Sequence, residues 1–434
     1  MKLINSQNQL EKARNIIPLQ AQTYSKSKLQ FTPETSPLFA GRAKGAYLWD
    51  IDGNKYIDMV NGLCAITLGH SDQRITNAVK KQLNKGSVFS LSSKLELEVA
   101  ERISDIIPCA EMVRFGKNGT DATTAAVRIA RAYTGRDHIA SCGYHGSADW
   151  SVCATTRNAG IPASIGAMTH KFNYNDIQSL QDIFLKHSGE IACVIMEAMN
   201  VEYPKDDFLE KCKELAHANG ALFILDEVIT AFRFRNSAQE EFGVTPDLCA
   251  LGKGLASGYP LSAVAGKREF MKLLEPDDNN GDSVMFSMTF GGDCVALAAA
   301  NEVLKLLVDT NYTQDIYDLG DELMTRTRLL LNQYRCIGIT LTGHPSWSHF
   351  HFTDIAEYKA YQVRSLFIQE CIANGVLSYG ANVISAALSY DNIDRLLDVY
   401  NDVLLNIAIG WATGDLEQMI IGKTLAPVMG VRGK

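Results

Sequence analysis

The stretch ALFILDEVITAFRF, residues 221 to 234, begins as an apolar strand and closes it with two carboxylates, Asp226 and Glu227. Ligands of open parallel sheets bind beyond the carboxyl ends of the strands, so an acid there can face a buried cation. Two plainer readings compete. One is a solvated strand end, since most Asp residues are exposed. The other is a magnesium-holding acid, which requires an upstream G-x-x-x-x-G-K-[ST] loop that the chain lacks. A lysine follows in DLCALGKGLASGYPLSAVAG, residues 247 to 266, where Gly252 and Gly254 flank Lys253 on a tight turn that can aim its amine into a cleft. Most lysines are solvated surface charges. Gly252, Gly254 and Gly258 also imitate a dinucleotide fingerprint, but YPLSAVAG after them reads as a strand behind a proline, not the helix a pyrophosphate needs.

Two further groups complete the set. In VRFGKNGTDATTAAVRIARAY, residues 113 to 133, a strand runs into Asn118, Gly119 and Thr120 and then an alanine-rich helix. Free backbone N–H groups at a helix start can hold a phosphate, although Asn and Thr there are also ordinary N-caps. In SCGYHGSADW, Tyr144 and His145 sit between glycines after a short strand, and the aromatic ring can either pack in the core or lie on a planar ligand. Together the four groups describe a flat ring carrying a phosphate, a basic ring nitrogen and an aldehyde, which is pyridoxal 5'-phosphate (PLP). Asp226 would pair with the pyridinium N–H, Lys253 would form the Schiff base, Tyr144 would cover a ring face and the Asn118–Thr120 turn would hold the phosphate.

The elements needed to position these groups are legible in outline. From about residue 71 to 310, helical runs such as DDFLEKCKELAHANG alternate with apolar runs such as IACVIMEA, which implies parallel strands joined by crossover helices. Residues 1 to about 40 read as a helix and an extended arm, and AYLWDIDGNKYIDMV as a hairpin around an Asp-Gly turn. The segment 274–282, LEPDDNNGD, reads as a turn-rich loop. Beyond residue 310, helical patterns over 313–334 and 355–375 bracket a strand-like HFHF, and a further helix follows. The expected organisation is an α/β large domain with a mostly parallel sheet plus a smaller α+β domain. Its parts are an arm and hairpin over 1–60 belonging to the small domain, a PLP-binding domain over 61–310 and the rest of the small domain over 311–434.

Composition narrows the function. The chain has 434 residues and a net charge of -8, and Lys and Arg form no stripe, so nucleic acid is not an expected partner. No apolar run reaches the roughly 18 residues of a membrane span, and no apolar region follows the N-terminal lysine, so a soluble, cytoplasmic protein is expected. Ten cysteines without a C-x-x-C pair argue against a zinc ribbon or a disulfide framework, and they read as small buried apolar residues.

On FGKNGTDA, CGYHG, LDEVITAFRF, GVTPDLCALGKGLASGYPLSAVAG and SMTFGGDCVALAA, in that order, the sequence resembles class III (ω-type) aminotransferases of PLP fold type I, the aspartate aminotransferase-like fold. Within them it is most similar to the glutamate-1-semialdehyde 2,1-aminomutase branch. The resemblance covers most of the chain and implies a homodimer with the cofactor at the interface. Thr289 matches the threonine that reaches the phosphate from the other subunit. Val228 matches the residue under the ring, and Glu197 an acid near the site. Gly119 and Thr120 carry over directly, whereas Asn118 stands where the family usually has Ser. On the substrate side, Leu63 stands where the aminomutase has Trp, Glu197-Ala198 replaces the family's EP, and NVISAAL replaces the segment bearing an active-site glutamate. These departures speak against glutamate semialdehyde as substrate. The TYSKS and RFGKNG segments resemble aminotransferases of secondary metabolism or surface-polysaccharide pathways.

The main expectation is therefore amino transfer between an amine or amino-acid donor and a small aldehyde or keto acceptor. Intramolecular amino transfer, racemisation or epimerisation would use the same groups, and a non-catalytic PLP-fold binding protein is the rival of another class. No metal is expected at the site. GHPSWSHFHF carries His344, His349 and His351; His349 and His351 would share one face of a strand, a spacing that could suit a metal, but packing or substrate contact is the preferred reading.

Overall fold

The computed structural model describes residues 2–276, 283–334 and 337–426. The chain divides into two compact units, Gln73–Thr313 and a second unit built from both chain ends. The N-terminal part of the second unit opens with the helix Ile4–Ala13. The stretch after it is a series of turns, not an extended arm, because hydroxyls bend the backbone locally: Ser27 Oγ donates to the Tyr24 carbonyl at 2.8 Å and accepts from Leu29 N at 3.1 Å. Strands β1 (Ala40–Lys44), β2 (Tyr47–Asp50) and β3 (Lys55–Asp58) form the expected antiparallel turn-back. Asp50 Oδ1 closes its turn by accepting from Asp52 N at 3.0 Å and Asn54 N at 2.8 Å.

Just after β3 the backbone makes a left-handed turn. Asn61, Gly62, Leu63 and Cys64 have φ of 46°, 61°, 62° and 68°. For the three that are not glycine this costs roughly 1–2 kcal/mol each, so the turn needs anchors. Asp58 Oδ1 supplies one by accepting from Val60 N and Asn61 N, and Asn61 Nδ2 supplies another by donating to the Val383 carbonyl at 2.6 Å.

The central unit holds β4 (Met112–Gly116), β5 (His138–Cys142), β6 (Thr169–Lys171), β7 (Ile191–Glu197), β8 (Leu222–Glu227), β9 (Leu248–Leu251) and β10 (Ser262–Gly266). They form one seven-stranded sheet in the order β4-β10-β9-β8-β7-β5-β6. All neighbours are parallel except β10, which runs antiparallel to both β9 and β4. Only residues 252–261 separate β9 from β10, too few for a parallel crossover. Every residue of β7 and β8 is buried, as strands covered on both faces require. Alternation divides them: Cys193, Ile195 and Ile224 face the alanine-rich helix Gly119–Thr134, while Val194, Met196, Phe223 and Leu225 face the helix Phe208–Ala218. Ala122, Ala125, Ala126 and Ala130 line the first of these helices where it meets the sheet, so small side chains set a close approach.

The chain then returns to the second unit through the helix Tyr312–Gln333, β11 (Ile339–His344), β12 (Trp347–Phe352), the helix Ala360–Ala373, β13 (Val376–Leu377), β14 (Ala381–Val383) and the helix Tyr390–Thr413. Strand β13 adds to β3 in parallel, and β11-β12-β14 form a separate antiparallel sheet. Of the turn-rich segment 274–282, residues 277–282 lie outside the described residues. All nine described cysteines are free and buried, and no helix among the described residues is long and apolar enough to cross a membrane.

Candidate active site

Because β4, β5, β7, β8 and β9 point the same way, their carboxyl ends deliver five short segments to one edge of the sheet. Asp226 arrives there opposite Glu197 in the β7–β8 register. Its carboxylate is held from two sides: Oδ1 accepts from Val228 N at 3.1 Å, and Oδ2 lies 2.8 Å from Nδ1 of His145. A carboxylate oxygen can only accept, so the His145 proton sits on Nδ1. The imidazole is fully buried and stacked on Trp150, with ring centroids 6.0 Å apart. Its main chain is pinned as well, since His145 N donates to Ser151 Oγ at 3.2 Å and Thr123 Oγ1 donates to the His145 carbonyl at 2.8 Å.

Glu197 holds the neighbouring turn. Its Oε2 accepts from Tyr144 N at 3.3 Å and from Asn200 Nδ2 at 3.1 Å. Burial, and then the nearby Asp226, raise the pKa of its carboxyl group. Gly143 is required here: its φ is 105°, and a Cβ would lie 2.4 Å from Glu197 Oε2. Lys171 at the end of β6 supports the same turn, donating to Ser141 Oγ at 3.0 Å and to the Gly143 carbonyl at 2.9 Å. The Tyr144 side chain remains half exposed, with its ring available to a ligand.

At the end of β4, Asn118 opens the helix Gly119–Thr134 in a capping box with Asp121, whose Oδ2 accepts from the backbone N–H groups of Lys117 at 2.9 Å and Asn118 at 2.8 Å. The leading N–H groups of Gly119 and Thr120 have no partner within the helix. Thr120 Oγ1 accepts from Ser147 N at 3.0 Å, tying this turn to the His145 segment. Lys253 follows β9 directly and adopts φ of 40° at the start of a short 3-10 turn.

Val228 locks the segments together. A Cβ on Gly119 would meet its Cγ1 at 2.8 Å and one on Gly252 at 3.2 Å, so the helix start, the end of β8 and the Lys253 turn converge on one side chain. A buried acid at a strand end, a helix start with free N–H groups, an aromatic face and a lysine, around a tightly packed valine, form a donor set that fits a phosphorylated pyridine aldehyde. Thr289 is placed differently. It is exposed on the segment before the helix Cys294–Asp309. That segment is joined to the Asn118–Thr120 turn by Lys117, whose Nζ donates to Asp293 Oδ2 at 2.8 Å and to the Pro260 carbonyl at 3.0 Å.

Several of these roles have no local sequence signal. Thr123 and Lys171 act through hydrogen bonds to distant segments, Ser151 and Asn200 through bonds within their own loops, and nothing around them marks them out. Lys117 alone offers a hint, because a cation immediately before a helix start opposes the helix dipole and needs an acidic partner. The strand histidines are used internally: His344 Nδ1 is 2.8 Å from Ser346 Oγ, His351 Nε2 is 2.5 Å from Thr342 Oγ1, and His349 packs edge-on against Trp347.

This fold is that of the PLP-dependent aminotransferases. Residues 31–398 match the class-III aminotransferase family, and the chain belongs to that family. Glutamate-1-semialdehyde 2,1-aminomutase of Persephonella marina is 34% identical over 84% of this chain and 91% of its own. The 3-aminobutyryl-CoA aminotransferase of Cloacimonas acidaminovorans is 36% identical over 71% of this chain and 74% of its own. The FumI protein of Sphingopyxis sp. MTA144, solved in its PLP internal aldimine form, matches with a TM-score of 0.87 at 26% identity, covering 96% of this chain and all of that one.

Proposed function

We propose that this aminotransferase moves an amino group between a separate amine donor and a small aldehyde or keto acceptor, and that it does so as a homodimer. The observation that carries the first part lies in the segment 382–388, where the resembling aminomutase has a glutamate. Here Val383, Ile384 and Ser385 are fully buried, and the Asn382 amide is used internally, bonded to Ser348 Oγ at 3.2 Å and Tyr400 OH at 2.6 Å. No acid is offered to a substrate from this segment. Support for the dimer comes from the central unit, where exposed Leu83, Phe89, Leu91 and Leu97 accompany Met285 and Phe290 on the segment carrying Thr289.

PLP, when bound, supplies an electron sink that stabilises negative charge on the substrate carbon. Asp226 would hold the pyridine N–H, and an anion at that place favours the protonated ring. His145 keeps the Asp226 carboxylate aimed. The N–H groups of Gly119 and Thr120 would hold the phosphate, with Thr289 of a second copy completing it, while Val228 and Tyr144 would cover the two ring faces. Lys253 would anchor the aldehyde carbon and then, as a free amine, carry the proton to and from the substrate carbon.

The test uses the PLP-loaded protein with a panel of 15N-labelled amines and a common keto acid. Label appearing in the aminated keto acid supports a separate donor. Turnover only of compounds that carry both amino and carbonyl groups, with no label taken up, would establish the intramolecular reaction instead.

A further inference from the structure

Three of the nine histidines in the chain converge outside the active site. His138 begins β5, His170 lies in β6, and His187 ends the helix Ile177–Lys186 just before β7. One ring nitrogen from each lies within 4.8 Å of the other two. Nε2 of His170 is 3.1 Å from Nδ1 of His138. A tetrahedral ion at the ordinary Zn–N distance sets ligand nitrogens about 3.4 Å apart, so this pair already has the required spacing.

Glu190 stands beside the group. Its Oε2 is 3.0 Å from His187 Nδ1 and 3.5 Å from His138 Nδ1. Donation from Nδ1 of His187 to that carboxylate leaves the lone pair on Nε2, and Nε2 is buried without a hydrogen-bond partner among the described residues. A carboxylate fixing the tautomer of an imidazole whose other nitrogen is free is the usual support of a metal-ligating histidine. Simple packing is the competing account: the His170 and His187 rings stack with centroids 3.9 Å apart. Coordination requires His187 to turn out of that stack, which is a side-chain rotation.

We propose that His138, His170 and His187 bind one divalent transition-metal ion of the zinc class at the β5–β6 edge of the sheet, with Glu190 orienting His187 or supplying a fourth ligand. Imidazoles favour zinc, cobalt, nickel or copper, whereas magnesium and calcium require oxygen ligands. The site lies at the opposite end of β5 from Tyr144 and His145, so the ion is a staple of the sheet edge and takes no part in amino transfer. His138 and His187 keep 24% and 16% of their side chains exposed, which leaves a route from solvent.

The experiment uses the untagged, PLP-loaded full chain, stripped of metal and titrated with Co2+ and then Zn2+. The expected result is about one ion per chain, tetrahedral cobalt bands in the visible spectrum that Zn2+ removes, and a melting temperature raised by Zn2+. His138→Gln and His187→Gln, checked for folding by their PLP content, are each expected to lose the bands. Glu190→Gln should weaken binding about 10- to 100-fold. Absence of stoichiometric binding to the unaltered protein, or bands unchanged in both histidine variants, would overturn the assignment.

Discussion

Asp226 owes its position to two hydrogen bonds from opposite sides, one from the chain beyond it and one from His145, and its chemistry can be separated from its packing. Asp226→Asn keeps the shape and removes the charge. The expected loss in kcat is about 10²- to 10³-fold, by analogy with removing one preorganised electrostatic contact, with PLP retained. A variant at near-normal kcat would exclude the role given to Asp226. Lys253→Ala should abolish turnover while leaving the circular-dichroism spectrum intact, and full activity would dispose of it as the proton carrier. Gly119→Ala tests the close packing on Val228, because its Cβ would begin 2.8 Å from Cγ1. Its expected effect is weaker PLP retention on dialysis, with retention equal to the parent counting against the convergence of the three segments.

Among the elements, the parallel strands were readable because burial on both faces leaves continuous apolar runs, and β7 and β8 carry theirs up to Glu197 and Asp226. The hairpin was readable because an Asp-Gly turn leaves little choice. Strand β10 has the same apolar signature, and its reversal follows only from counting the short connection behind it. The Asn118 turn could be recognised as a helix start, yet sequence could not reveal that Thr120 accepts from Ser147 or that His145 reaches Asp226 81 residues away. Such pairs are set by strand order, which local periodicity does not encode. The alanines of the helix Gly119–Thr134 make an element-scale prediction possible. Ala126→Leu overfills the layer against the sheet and should cost about 1–3 kcal/mol, measured by urea denaturation. An unchanged midpoint would show that the layer has slack.

For the molecule as a whole, acid sensitivity follows from its buried histidines. In the unit built from both chain ends, burial, followed by the neighbouring His351, pushes the His349 imidazole down to about 4. An unfolded histidine titrates near 6.5, so the unfolded chain takes up the proton first. The stabilisation by neutral His349 is therefore complete above about pH 6.5 and fades as the pH falls toward 4, by at most about 3 kcal/mol. Denaturation midpoints followed across this range should fall less steeply in His349→Phe than in the parent, and parallel slopes would remove His349 as the cause. Sequence placed His349 on a strand beside aromatics, which was right about its neighbours, but the depth of burial that decides its charge is a property of the assembled sheet.

Strand β6 is only three residues long and forms one rim of the seven-stranded sheet, with Lys171 turned to bond the Gly143 turn and His170 in the middle. A short rim carrying a cationic side chain offers little backbone for a foreign strand to pair with. On this rim the sheet therefore limits its own edge-to-edge pairing. Replacing His170 and Lys171 together by valine would remove that safeguard, and the cost would appear as lost solubility together with a loosened Gly143 turn.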